Sequence, residues 1–377
     1  MTVTSVVILG GYGNFGKRIA ENLAAIPGIK IIIAGRCAKK GGRLCQQLAA
    51  QGANATLEAA VLDIYQPEFV AKLRALSPEL VIHTGGPFQG QDYRVPEACI
   101  AAGCHYIDLA DDRRFVCDIT ALNEKACAAN VLIVSGASSV PGLSSTVIDS
   151  FSNQFAQLDS IDFAIAPGNQ AERGEATVRG ILSYTGHPFM VFSDGNWVHQ
   201  YGWMSPRRVQ FGDKIGPRWL ANVDIPDLEL FPKRYTPVRT VRFQAGLELP
   251  LLHLGMVFMA FLAKCGLVRD WSVFTRTIFR LSTLFQKAGT DMGAMQVNLS
   301  GLDWRQQVKQ IRWTLYAENG VGPYIPTISA ILLAKKLIAG TLDSRGATPC
   351  LGLYTMAEFD QEAASLGIYH KTETHLG

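Results

Sequence analysis

The sequence predicts an α/β protein, with a doubly wound parallel sheet in residues 1–150 and a second, α+β domain after it. Three observations carry that expectation. The apolar run Val6-Val7-Ile8-Leu9 feeds directly into Gly10-Gly11-Tyr12-Gly13-Asn14-Phe15-Gly16 and then into a helix-forming stretch. Apolar β-branched runs go on alternating with helical periods to about Ser150, as in a parallel sheet covered on both faces. From about Phe151 the alternation stops, and a strand with one polar face at residues 161–166 takes over.

The first strand and turn have the spacing of a Rossmann-type dinucleotide site. Gly11 permits the tight turn, Gly13 lets backbone approach a pyrophosphate, and Gly16 lets helix and strand pack closely. Tyr12, Asn14 and Phe15 stand between them on the same turn. The helix that follows offers free N–H groups and a partial positive charge to phosphate.

A second buried strand runs over residues 30–34. An NAD site places Asp or Glu near the end of this strand to hold the ribose 2′-hydroxyl. Here no acidic residue occurs from Pro27 to Leu57; Gly35-Arg36 follows, with Lys39, Lys40 and Arg43 close behind. A guanidinium grips a 2′-phosphate in a bidentate way and stacks on adenine. The expected cofactor is therefore NADP(H), against the plainer alternative of a basic, solvated helix start.

Further strands are expected at residues 59–63, 80–83, 105–108 and 131–134, with helices at 67–76, 95–102 and 114–129. Such a sheet binds its ligand at the carboxyl ends of its strands. Gly10 to Gly16, Arg36, Asp63, Gly85-Gly86-Pro87-Phe88 and Ser135 to Gly142 all fall there. In the second domain, helices are expected at 177–183 and 326–339 and a strand at 308–317. Residues 186–239, rich in Pro, Gly, Trp and Tyr, read as loops and short antiparallel strands. The domain boundaries follow: 1–150 for the nucleotide, 151–322 for substrate and dimerisation, and 323–377 packing back on the first domain.

The chain has 377 residues, 48% hydrophobic and 18% charged, with a net charge of +3. That composition fits a two-domain globular protein and gives no general case for nucleic acid binding. The eight cysteines form no C-x-x-C pair and no metal-type cluster with histidine, so they read as reduced thiols of a cytoplasmic protein, with no metal site. The first apolar run is too short for a signal peptide. The charge-free stretch at 249–263 is too short to span a membrane.

The chain resembles saccharopine dehydrogenase-like oxidoreductases. The residues that carry the likeness are Val7 to Gly16, Ala34-Gly35-Arg36, Val81-Ile82-His83-Thr84-Gly85-Gly86-Pro87-Phe88, Gly103-Cys104-His105-Tyr106-Ile107-Asp108-Leu109 and Val140-Pro141-Gly142. The likeness covers about the first 145 residues and returns after about 310. It implies that Gly11, Gly13 and Gly16 bind pyrophosphate and that Arg36, with Lys39 beside it, meets the 2′-phosphate. It also implies that Asp63 lies near adenine, and that Gly85, Gly86 and Pro87 border the nicotinamide. Two positions depart from the pattern: the family often has Asn at the place of His83, and Asp111-Asp112 replaces a Gly-Glu pair.

Hydride transfer usually needs a proton donor or acceptor in reach. Asp108, Asp111 and Asp112 follow a strand end, as a proton relay or substrate-amine contact, or as caps of the next helix. His83 and His187 are candidate general acids, or ordinary hydrogen-bonding histidines. Arg173 and Arg179, in Glu172 to Arg179, suit a carboxylate-bearing substrate, or form a plain loop and helix start. Ser135 to Gly142 lacks the G-x-S-x-G elbow of a serine hydrolase. No Tyr has Lys four residues later, which argues against a short-chain reductase.

Residues 251–262 are apolar on every side. In 271–287, Trp271, Phe274, Ile278, Leu281 and Phe285 share one helical face, with Arg269, Arg276, Arg280 and Lys287 on the other. Such a helix docks on its own core or a second subunit, or lies on an anionic membrane. The expected function is an NADP(H)-dependent oxidoreductase, a homodimer, acting on an imine or carbonyl carbon of a small-molecule or lipophilic substrate. The alternative is a non-catalytic NADP-binding protein held to a membrane or partner by residues 269–287.

Overall fold

The structure is a computed structural model that describes residues 4–377. The chain forms two compact units, residues 4–143 with Tyr324–Tyr354, and Ser144–Pro323 with Thr355–Gly377.

The first unit contains β1 (Ser5–Leu9), β2 (Lys30–Gly35), β3 (Thr56–Val61), β4 (Leu80–His83), β5 (His105–Asp108) and β6 (Leu132–Ser135). With the strand Gly346–Pro349 they form a seven-stranded sheet in the order Gly346–Pro349, β6, β5, β4, β1, β2, β3. Every pairing is parallel. The order reverses between β1 and β4, which opens a crevice at their carboxyl ends. Leu9 pairs with Ala34 on one side and His83 on the other, so three strand ends meet there. The apolar runs are buried on both faces: Val7, Leu9, Ile32, Val81, Tyr106 and Ile133 share the core cluster on one side, and Ile8, Ile33 and Ile82 are buried on the other. Each such side chain contributes about 1.5–3 kcal/mol by leaving water.

The helix Ile325–Ile338 belongs to this unit and is buried on nearly every side. It starts with Pro326 in its first turn, where the missing N–H costs nothing. Gly340 then takes a left-handed φ of 68° just past its end.

The second unit is a mixed seven-stranded sheet. Its order is Arg207–Gln210, Pro217–Asn222, Thr240–Ala245, Gln157–Ala166, Gly293–Leu302, Val308–Ala317, Tyr369–Leu376. Only Thr240–Ala245 and Gln157–Ala166 run parallel among these pairs. A hairpin, Pro188–Ser193 with Asn196–Tyr201, forms its own two-stranded sheet and is tied to the larger one, Asp194 N donating to Thr240 Oγ1 at 3.1 Å and Asn222 donating to Gln200 at 3.0 Å.

Four expectations need correction. Residues 355–377 do not stay with the nucleotide unit, because Tyr369–Leu376 pairs along Val308–Ala317 in the second sheet. The third strand spans Thr56–Val61 rather than 59–63, because its register is set by pairing Lys30 with Thr56 and Gly35 with Val61. The helix expected over 114–129 is three pieces: Arg113–Cys117, a tighter turn at Asp118–Leu122, and Asn123–Ala128. At the last break the Asn123 side chain accepts from the Ala347 backbone N–H at 3.0 Å, a partner far along the chain. The stretch 271–287 is a short turn, Trp271–Phe274, followed by the helix Thr275–Thr283. Asp270 caps that turn through Ser272 N at 2.7 Å.

Candidate functional site: the carboxyl edge of the parallel sheet

Gly13 is the N-cap of the helix Asn14–Leu23; no side chain caps it and no acidic residue stands in its first turn. The partial positive charge of that helix start is therefore not offset by a capping side chain or a first-turn acid. The turn before it is tightly packed. A Cβ on Gly11 would lie 2.8 Å from the Ile8 carbonyl, and one on Gly13 2.9 Å from the Gly10 carbonyl. On Gly16 it would lie 2.4 Å from the Gly10 carbonyl and 2.7 Å from Gly11 Cα. The N–H groups of Gly10 and Gly11 both bond to Ala34 O, at 2.9 and 3.1 Å, which locks the turn to β2.

Tyr12 has a bracing role. A methyl on Gly35 would stand 2.7 Å from its ring, and its hydroxyl accepts from Cys37 N–H at 2.9 Å. Asn14 uses its side chain on Arg18, whose guanidinium also covers the Tyr324 ring at 4.9 Å. Phe15 is half-buried. Arg36 leaves the end of β2 exposed, and Lys39 is exposed in the first turn of the helix Ala38–Ala50. Asp63 follows β3, with one carboxylate oxygen accepting from Tyr65 N at 3.1 Å.

After β4, Thr84 reaches under the glycine turn, its hydroxyl 2.9 Å from Leu9 O and 3.2 Å from Gly10 O. The loop Gly85-Gly86-Pro87 is held by Gln91, whose amide donates to Gly85 O at 2.9 Å and Pro87 O at 2.7 Å. His83 lies beneath this loop and is buried. A methyl on Gly85 would stand 3.1 Å from its Nε2, and its Nδ1 is 3.1 Å from the Tyr106 hydroxyl. Burial pushes its pKa down to about 4. At neutral pH it is an uncharged prop under the loop, in keeping with the hydrogen-bonding alternative rather than the general-acid one.

Asp108 is fully buried. One of its oxygens accepts from Ala110 N at 2.9 Å, Ser135 Oγ at 3.0 Å and Gly136 N at 2.8 Å. Burial raises its pKa to about 6, and those bonds hold it from rising further. It ties the ends of β5 and β6 together. Asp112 is the cap of Arg113–Cys117, accepting from Phe115 N at 2.8 Å, so the capping reading applies to it rather than substrate contact. Asp111 is exposed, and its carboxylate accepts from Gln89 at 3.2 Å. Ser135 to Gly142 is buried throughout. It is pinned by Ser329, whose hydroxyl donates to Ser138 O at 2.9 Å.

This edge is a glycine turn under a helix start, a basic second strand end, and a hydrogen-bonded third loop. Residues 6–134 match the family described as "Saccharopine dehydrogenase NADP binding domain". The first unit carries a saccharopine dehydrogenase-type NADP-binding domain. Its cofactor is NADP(H). Apo saccharopine dehydrogenase (L-Glu forming) from Saccharomyces cerevisiae shares the fold over 99% of this chain and 100% of its own, with a TM-score of 0.69 at 14% identity. An amine dehydrogenase from Mycobacterium smegmatis aligns over 92% of this chain and 94% of its own, with a TM-score of 0.48 at 10% identity. A short-chain dehydrogenase from Sphingobium yanoikuyae, in complex with NADPH, covers 35% of this chain and 71% of its own, with a TM-score of 0.27 at 14% identity. No curated protein matches the sequence.

The remaining candidates lie in the second unit, outside the NADP-binding domain. His187 is half-buried just before the hairpin. Arg173 is half-buried and donates to Ser282 O at 3.4 Å, closing the end of the helix Thr275–Thr283; burial lowers its pKa. Arg179 is exposed on the helix Glu175–Ser183. Sequence reasoning missed Thr84, Gln91 and Gly35 as builders of the site. A small residue ending an apolar strand signals the last, but Thr84 is marked only by its place in the family-like run Val81 to Phe88, and nothing local signals Gln91.

Proposed function

We propose that the protein is an NADP(H)-dependent oxidoreductase that moves a hydride to or from an imine or carbonyl carbon. The observation that carries this reading is the glycine turn, whose three glycines leave no room for a Cβ, set beside the exposed Arg36 at the next strand end. The residues fit the cofactor: the uncapped helix start receives a pyrophosphate, and a cation stands where an NAD site has a carboxylate. When bound, NADP(H) supplies or takes the hydride.

The chain's own residues do the rest. Gly11, Gly13 and Gly16, with no side chain in the way, let a phosphate approach the backbone of the turn and the helix start. Arg36, with Lys39 beside it, pairs with the 2′-phosphate and covers the adenine. Asp63 shapes the adenine side through its turn to Tyr65. Gly85, Gly86 and Pro87, fixed by Gln91 and backed by neutral His83, form the wall at the nicotinamide end. Asp111, an exposed carboxyl beyond β5, is the group of this unit that holds a proton for the substrate. His187, Arg173 and Arg179 are the second unit's candidates for proton transfer and for a substrate carboxylate. The substrate is a small molecule, polar or lipophilic.

Titration of protein fluorescence with NADPH and NADH tests this. Arg36→Asp removes charge-assisted hydrogen bonds worth about 1.5–3 kcal/mol and should weaken NADPH by roughly 10- to 150-fold, with NADH little changed. Equal loss of both nucleotides would overturn the role of Arg36. Absence of NADPH binding by the parent would overturn the reading itself.

A further inference from the structure

The second unit carries an apolar surface that the nucleotide site does not explain. The helix Pro250–Lys264 buries His253, Met256 and Ala260. On its opposite side Leu251, Leu254, Phe258 and Phe261 are 69, 47, 60 and 50% exposed. At 100° per residue these four lie within an arc of about 80°. The next elements continue the pattern. Trp271 Nε1 donates to Met259 O at 2.9 Å, which fastens the turn Trp271–Phe274 to that helix. Leu267, Val273 and Phe274 are exposed around it. In the helix Thr275–Thr283 the inward residue is Thr275, with Ile278, Phe279 and Ser282 half-buried. Arg276, Arg280 and Leu281 are exposed, as is Leu284 just beyond. The expected opposition of a basic and an apolar face is therefore corrected: cations and leucines share the outer arc. Single exposed leucines need no explanation, but a run of large ones over consecutive elements does.

Charge selects the occupant. Residues 249–287 contain Lys264, Arg269, Arg276, Arg280 and Lys287 against a single acid, Asp270. That carboxylate is engaged at Ser272 N and Oγ, at 2.7 and 2.8 Å. Glu175 stands 4.0 Å from Arg276, with both side chains more than half exposed. A second copy of this chain would set like charges against like. Among the described residues no helix is long and apolar enough to cross a membrane, so contact would lie in the interface plane.

We propose that this surface seats the chain on an anionic lipid bilayer. Leu251, Leu254, Phe258 and Phe261 enter the boundary between headgroups and acyl chains, and the lysines and arginines meet lipid phosphates while their stems lie along the apolar layer. The proposal does not depend on the oxidoreductase reading.

The test is co-sedimentation of the full chain with vesicles of phosphatidylcholine, alone or mixed with phosphatidylserine. NADPH titration and thermal melting serve as controls for folding. The parent should pellet with the anionic vesicles and much less with the neutral ones. Each basic side chain near an anionic surface adds about fivefold to partitioning, so Arg276→Glu with Arg280→Glu should reduce it by at least about 25-fold. Leu254→Ser with Phe258→Ser should also abolish pelleting, with NADPH affinity unchanged in both variants. A parent that stays in the supernatant, or pellets equally with neutral vesicles, overturns the proposal. So does a pair of folded variants that pellet like the parent. Light scattering that shows a parent dimer made monomeric by Leu254→Ser with Phe258→Ser would assign the surface to a second copy instead.

Discussion

Gly16→Ala should damage nucleotide binding more than it damages the fold. The added Cβ would stand 2.4 Å from the Gly10 carbonyl, 2.7 Å from Gly11 Cα and 2.9 Å from Thr84 Oγ1. Two of those neighbours are backbone atoms and cannot rotate away. Relief to ordinary contact means opening the turn by about 1 Å, at a cost of about 1–3 kcal/mol for overpacking. The turn resists, because Gly10 and Gly11 both bond to Ala34 O and Gly13 N bonds to Gly10 O at 2.8 Å. The displacement therefore passes to the helix start, whose N–H groups must aim at a pyrophosphate. NADPH and NADH titrations of the purified variant, with thermal melting alongside, should show both nucleotides weakened at least tenfold, the equivalent of about 1.4 kcal/mol. The loss is common to both because the pyrophosphate is common to both, unlike the selective effect at Arg36. A variant that keeps parental affinity for NADPH would refute the assignment of this turn as the pyrophosphate cradle.

Two further substitutions probe the buried polar groups. Asp108 is buried with a pKa raised to about 6 from 3.8, so the folded state holds its proton more tightly than the unfolded chain. Stability should therefore fall as pH rises from about 4 to 6, by on the order of 3 kcal/mol from this group. Asp108→Asn keeps the three accepted hydrogen bonds and should flatten that slope in denaturant titrations across this range; an unchanged slope would contradict the argument. Glu248 accepts from Asn169 N at 2.7 Å and Thr290 N at 2.9 Å and pairs with Arg218 at 3.0 Å, with side-chain exposures of 6 and 12% for the pair. Glu248→Ala leaves a buried guanidinium without its carboxylate, so the second unit should lose about 3–5 kcal/mol; an unchanged melting transition would contradict it.

The parallel sheet was legible because its central strands are buried on both faces. Val6 to Leu9, Lys30 to Ala34 and Leu80 to His83 are short apolar runs that a chain of this composition can place only in an interior. The glycine turn was legible because contacts local in sequence, Gly13 to Gly10 and Gly16 to Gly10, dictate it. The exposed third strand was misplaced because its residues carry little burial signal, and only its pairing with β2 fixes its register. His83 and Asp112 read as candidate reactive groups, since a side chain's pKa and partners depend on what folds over it. The Gly85 loop sits against His83, and Phe115 N takes the Asp112 carboxylate. Gln91 carries no sequence mark of its importance, and Thr84 only its place in the family-like run Val81 to Phe88, since each acts on a backbone carbonyl.

The amino acid order by itself determined the doubly wound sheet, the glycine turn and the basic end of its second strand. These follow from local sterics, apolar periodicity and charge within a few dozen residues. Tertiary structure alone decided that residues 325–349 return to complete the first unit while 355–377 close the second sheet. It also decided which aspartates cap helices and which are buried, and that the leucines of 250–284 face outward beside arginines. Each of these depends on contacts between residues far apart in the chain, whose geometry and dielectric surroundings exist only after the units have folded.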